Sequence, residues 1–207
     1  MKIGFIGAGT VGTALALRLR EKGYPVVAVA SRSRASAERL AGRVAGCAVC
    51  DHPDEVAQMA ELVFVTTPDD AIALVVAATA WSAQNSVVHC SGAASVDILE
   101  PAKRAGAQVG AFHPLQSFSS VEAAIANLPG STFALEAEEP LLGHLKGLAE
   151  SLEGKAVTLG PGDKVLYHAA AVIACNCLVT LVKCAADLWQ TFSVPPDQAT
   201  RDRTSVG

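Results

Sequence analysis

Short apolar runs alternate along the chain with longer stretches in which apolar residues recur every three to four positions, the pattern of successive strand–helix units. Strands are expected at Lys2–Ile6, Pro25–Ala30, Cys47–Cys50, Leu62–Thr66, Ser86–Cys90, Gln108–Phe112, Thr132–Leu135 and Ala156–Leu159. Helices are expected between them at Thr10–Lys22, Ser36–Val44, Asp54–Ala60, Asp70–Ala80, Val96–Ala105 and Pro140–Leu152. The strand runs are apolar throughout, which fits a parallel sheet covered on both faces, joined by right-handed crossovers. After Gly160-Pro161-Gly162 the pattern changes: Val165–Val182 is 18 residues without a formal charge, between Lys164 and Lys183. Its length alone would span a bilayer. Tyr167, His168, Asn176 and Thr180 interrupt it, and a polar group in lipid needs a partner. A long helix packed on all sides by protein is therefore expected, with Pro195-Pro196 as its stop and Asp197–Gly207 as a frayed polar tail. The whole reads as α/β, a doubly wound mostly parallel sheet followed by a long helix.

The sharpest local signal is Gly7-Ala8-Gly9-Thr10-Val11-Gly12, which follows the first apolar strand and opens an amphipathic helix. That context makes GxGxxG a dinucleotide-binding turn: Gly7 for the bend, Gly9 for close approach of a pyrophosphate, Gly12 for helix–strand packing. The helix start, with Thr10 and Val11, offers N–H groups and a positive dipole end. An NAD site places an acid about 20 residues further on, whereas here the second strand ends in Ser31-Arg32-Ser33-Arg34. An arginine flanked by hydroxyls suits a ribose 2′-phosphate, so NADP is the expected cofactor. Thr67 and Pro68 fall at the carboxyl end of the fourth strand, where ligands sit in open α/β sheets; ordinary helix capping accounts for them equally well. Residues 1–160 are thus read as the dinucleotide-binding domain, and 161–207 as the start of a helical substrate or dimerisation domain.

Two further strand ends carry polar groups, His89-Cys90-Ser91-Gly92 and Phe112-His113-Pro114-Leu115-Gln116-Ser117. A histidine at a strand's carboxyl end is placed to exchange a proton during hydride transfer; a buried, backbone-bonded role for His113 is as consistent with spacing alone. His89 lies inside its strand and reads as structural. His168, Val172 and Asn176 are spaced by four and share a helix face, either lining a cavity or satisfying neighbouring groups.

Of 207 residues 51% are hydrophobic and 17% charged, with a net charge of -4. That excludes disorder over most of the length and argues against a nucleic-acid partner. The N-terminus has no basic stretch leading into a long apolar run, so free thiols and a cytoplasmic location are expected. Cys47-Ala48-Val49-Cys50 is a CxxC without a second ligand pair. The six cysteines read as buried small hydrophobes, with no metal site.

The order Gly7-x-Gly9-x-x-Gly12, Ser31-Arg32-Ser33, Thr67-Pro68-Asp69, His89-Cys90-Ser91-Gly92, Phe112-His113-Pro114-Leu115-Gln116-Ser117 and Tyr167-His168-Ala169-Ala170-Ala171 resembles the bacterial Rossmann-like NADP oxidoreductases whose C-terminal half is a helical domain of unknown function. These are similar to pyrroline-carboxylate reductase, prephenate dehydrogenase and the β-hydroxyacid dehydrogenases. The resemblance implies that Gly7, Gly9, Gly12, Thr10 and Val11 hold the pyrophosphate, and Ser31, Arg32 and Ser33 the 2′-phosphate. It sets His113 where prephenate dehydrogenases have a histidine–proline pair, and Asn176 where β-hydroxyacid dehydrogenases have a helix asparagine. Their catalytic lysine would fall on Val172, so the acid–base group is expected to be His113 or His168, with the nicotinamide between Ser91, His113 and the long helix. The implied activity is hydride transfer with a small C–O or C–N substrate, in a homodimer joined through the C-terminal helix and away from membranes. The apolar pattern ends near Phe192, earlier than in the family, so the chain reads as C-terminally shortened. That and the absent lysine motivate an alternative, a non-catalytic NADP-binding sensor or partner-binding protein. Membrane attachment through Val165–Val182 ranks last.

Overall fold

A computed structural model describes residues 1–116, 118–160, 162–193 and 195. Each of the eight apolar runs becomes a strand of one sheet: β1 Ile3–Ile6, β2 Val26–Ala30, β3 Ala48–Cys50, β4 Leu62–Val65, β5 Ser86–His89, β6 Gln108–Leu115, β7 Thr132–Ala137 and β8 Lys155–Thr158. The helices are α1 Thr10–Glu21, α2 Arg34–Ala41, α3 Pro53–Met59, α4 Asp69–Ala78, α5 Glu100–Arg104 (entered through a 3₁₀ turn at Val96–Leu99), α6 Val121–Asn127, α7 Leu141–Ser151, α8 Asp163–Val172 and α9 Leu178–Gln190. The strand order is β3-β2-β1-β4-β5-β6-β7-β8, so the first six strands have the order of a doubly wound dinucleotide-binding sheet.

The sheet is mostly parallel, as expected, with one exception. β7 runs antiparallel to β6, while every other neighbouring pair is parallel. β6 consequently extends past the expected end at Phe112 to Leu115, with Leu115 opposite Thr132. His113 therefore stands inside a strand, opposite Ala134, rather than just beyond one. β5 pairs with β6 only as far as Ala111, so residues 112–115 have a strand neighbour on one side alone. Pro114, lacking an N–H, is tolerated there. The short helix α6 was not expected; Ser120 caps it, accepting from Ala123 N–H at 3.1 Å, and it packs against α1.

The two faces of the sheet carry separate apolar clusters. On one, Phe5, Phe64, Phe112 and Phe133 form a row across four strands, with successive ring centroids 5.2, 5.6 and 4.8 Å apart. Interlocked aromatic burial of this kind holds the strand register that sets the loop positions at the sheet's carboxyl edge.

The chain divides into two compact units, Met1–Lys164 and Val165–Gly207. In the second, α8 passes through a π-type turn at Ile173–Cys177 into α9. The helix is not packed on all sides: Val165, Leu166, Ile173, Val179, Leu188 and Phe192 are 64–76% exposed. Cys177 and Cys184 are exposed as well, against the expectation of buried thiols. The stretch Asp163–Gln190 is long and apolar enough to cross a membrane by length and composition. Its expected stop at Pro195-Pro196 and the tail Asp197–Gly207 lie wholly or partly outside the described residues, as does Ser117.

Candidate functional site

β1 is buried at all four residues and delivers the chain into Gly7, whose φ of 110° belongs to the left-handed region open to glycine. A Cβ on Gly7 would lie 2.6–2.8 Å from the Thr66 and Thr67 backbone, and one on Gly12 2.4 Å from Thr66 Oγ1. Thr66, just past β4, closes this packing by donating its hydroxyl to the Gly7 carbonyl at 2.7 Å. Gly9 differs: a Cβ there would meet no protein atom within 4 Å. Gly7 and Gly12 are glycine because protein surrounds them; nothing in the protein explains Gly9. It is the N-cap of α1, whose first turn has no acid and no side-chain cap, leaving the positive helix end open to a ligand anion.

These residues border a cavity of about 550 Å³ at the carboxyl ends of β1, β2 and β4, where the strand order reverses direction. Ser31, Arg32, Ser33, Thr67 and Pro68 line it, as does Asp51, which was not anticipated. Thr10 and Val11 stand in the first turn of α1 rather than on the cavity wall. Ser33 caps α2, accepting from Ser36 N–H at 3.4 Å. Arg32 is exposed and enters no ion pair among the described residues, whereas Arg34 bonds to Glu38 and Asp51. Thr67 Oγ1 is buried and has no hydrogen-bond partner among the described residues.

A second polar group gathers past β5. His89 is fully buried and its Nδ1 accepts from Ser91 N–H at 3.2 Å, which sets the ring proton on Nε2. Burial, with the Lys164 ammonium nearby, pushes His89 down to about 3. Ser91 Oγ donates to Asp69 Oδ2 at 2.7 Å and accepts from Ala93 and Ala94 N–H at 3.2 and 3.0 Å. Its hydroxyl thus organises the loop after β5. The His113 ring lies on that loop: a Cβ at Gly92 would come 2.7 Å from Nε2. Ser91 and His113 are therefore brought together, with His89 beneath. Burial pushes the Cys90 thiol up to about 12, keeping it neutral.

Sequence reasoning missed Lys164 and Glu136. Lys164 Nζ lies 3.9 Å from Glu136 Oε2, with the two side chains 6% and 19% exposed. Neither atom has a hydrogen-bond partner among the described residues. Burial draws the Lys164 amine down and the Glu136 carboxyl up. No motif marks this pair, which comes from a strand and a helix start far apart in the chain.

His168 and Asn176 belong to the second unit. His168 is on α8 and Asn176 within the π-type turn, where Leu178 N–H reaches the Ile173 carbonyl five residues back. The wider turn breaks the four-residue spacing that would have aligned Asn176 with His168, and Asn176 is exposed. Thr180 Oγ1 donates to the Asn176 carbonyl at 2.9 Å.

Residues 1–114 match the family described as Rossmann-like domain, and residues 131–202 match the domain of unknown function DUF2520. The second match begins inside the first compact unit. No curated protein matches. Among solved structures, the chain is similar to a Bacteroides fragilis protein assigned as an NADP oxidoreductase, with 28% identity, a TM-score of 0.74, and coverage of 95% of this chain and 74% of that one. A reductive aminase from Aspergillus terreus in complex with NADPH and ethyl-5-oxohexanoate shares the fold at 19% identity and TM-score 0.78, over 95% and 68% of the two chains. So does a 1-pyrroline-5-carboxylate reductase from Streptococcus pyogenes, at 18% identity and TM-score 0.76 over 99% and 76%. With 114 of its 207 residues matched, and with the glycine turn, strand order and cavity described above, the chain belongs to the Rossmann-like domain family and carries a DUF2520 domain after it.

Proposed function

We propose that the protein is an NADP(H)-dependent oxidoreductase that transfers a hydride between the nicotinamide and a small substrate at a C–O or C–N bond. The observation that carries this is the open space at Gly9, between glycines pinned by Thr66 and in front of the α1 N-terminus. A pyrophosphate fits the space that a side chain at Gly9 would otherwise take. At the cavity mouth Arg32, with the Ser31 and Ser33 hydroxyls, matches a 2′-phosphate. Bound NADP(H) supplies hydride chemistry; the chain's residues bind, orient and move the proton.

His113 exchanges the proton that the substrate heteroatom gains or loses, held in place by Gly92 and by strand pairing on β6. Ser91 holds the neighbouring loop through Asp69. The exposed apolar residues of α8 and α9 support a homodimer joined through the long helix. Tyr167, His168, Asn176 and Thr180 along it weigh against insertion into lipid.

Calorimetric titration with NADPH and NADH tests the cofactor, and a clear NADPH preference is expected. A panel of ketones, oxo acids and imines then tests the reaction, imines first, since the fold is shared with reductases named for them. His113→Asn is expected to lower turnover about 100-fold with NADPH affinity nearly unchanged; unaltered turnover removes His113 from the reaction. Tight NADPH binding without turnover on any substrate would favour a non-catalytic sensor.

A further inference from the structure

The cavity that would take the adenosine end holds a carboxylate as well as a guanidinium. Ala30 and Cys50 are register partners in β2 and β3, so Ser31 and Asp51 leave the sheet side by side, and Asp51 lines the same cavity as Arg32. A free carboxylate there repels a phosphate dianion and suits a ribose hydroxyl. Asp51 is not free: Arg34 Nη1 donates to its Oδ1, and Arg34 Nε donates to Glu38 Oε1 at 3.0 Å. Arg34 itself is not on the cavity wall. The other groups around the mouth are accounted for. Arg39 donates to Ser36 Oγ at 2.8 Å, and the His52 backbone N–H donates to Glu55 at the start of α3. Two arginines two residues apart therefore have different tasks, Arg32 facing the cavity and Arg34 turned onto acids.

We infer that Arg34 is a specificity-determining residue that works through Asp51: by pairing with it, Arg34 cancels the one carboxylate on the cavity wall and keeps the mouth selective for a 2′-phosphate. The inference rests on the NADP reading above. Its energetic weight is not that of the surface ion pair itself, whose two side chains are 63% and 66% exposed and which adds little to stability. It lies in the net charge that the cavity wall presents to an anionic ligand, an interaction that is screened least at short range.

The test is a titration of the full chain with NADPH and with NADH in four forms: wild type, Arg34→Ala, Asp51→Asn and the double variant. Both substitutions are at exposed positions, and thermal melting checks that the fold is retained. Arg34→Ala is expected to weaken NADPH binding about tenfold and NADH binding much less. Asp51→Asn alone should not weaken NADPH, and adding it to Arg34→Ala should restore NADPH binding to near wild type. The Arg34→Ala defect should also shrink at high salt. If Arg34→Ala leaves the NADPH-to-NADH ratio unchanged, the inference is wrong. If the double variant stays as weak as Arg34→Ala, Arg34 grips the phosphate directly and the inference is likewise overturned. The wild-type arm is separate: no NADPH preference there sinks the cofactor reading itself.

Discussion

The fold opposes protonation of His89. Its pKa falls from the ordinary 6.5 to about 3 on folding, because burial and the nearby Lys164 charge disfavour imidazolium. Between those values the unfolded chain binds more protons than the folded one, so the stability His89 permits is complete above pH 6.5 and is lost as pH falls toward 3. Denaturant unfolding from pH 7 to pH 4 should show a loss of about 3 kcal/mol from this group. His89→Gln should flatten that dependence; an unchanged pH slope would mean the ring is protonated in the folded state. At the same scale Gly92 is glycine for the sake of a neighbour, since a Cβ would strike the His113 ring. No local pattern in the sequence announces that. The GxGxxG turn was legible as a motif, but only the structure separates Gly7 and Gly12, packed by protein, from Gly9, which faces open space.

At the scale of elements, the strands were legible because buried parallel strands are continuous apolar runs, and all eight lie where that pattern sets them. What failed were features set by a partner element. β6 runs on to Leu115 because β7 returns antiparallel beside it, which neither Phe112 nor His113 reveals. α6 is seven residues long, too short for a helical period to stand out. The pairing of Glu136 on β7 with Lys164 at the start of α8 is of the same kind. Glu136→Gln removes the carboxylate 3.9 Å from a buried ammonium and should destabilise the fold by about 2 kcal/mol, part of the loss being relieved as the amine gives up its proton. Replacing both partners, Glu136→Gln with Lys164→Met, should be neutral or stabilising. Urea unfolding of both variants checks this, and the reverse order would show that the pair is a net source of stability.

For the whole molecule, the question is what the apolar face of α8 and α9 meets. Exposed apolar side chains such as these mark a protein or membrane contact when they adjoin one another, and under the proposal above a homodimer covers them. Sedimentation of the purified protein should give a dimer, and Leu188→Lys, at a side chain 68% exposed, should shift it toward monomer with the fold of the first unit kept. Recovery in the membrane fraction would instead favour lipid attachment.

The sequence by itself determined the strand and helix alternation, the glycine turn and the lack of an acid after the second strand. Each of these lies within a few consecutive residues, where a side-chain period of two or of three to four records which face is buried. Tertiary structure alone decided what stands across from what. Thr66 closes over Gly7 from 59 residues away, Asp51 on the cavity wall is paired with Arg34, and His113 rests on Gly92. Those contacts depend on strand order and register, which pair residues far apart in the chain and leave no period in the sequence to read.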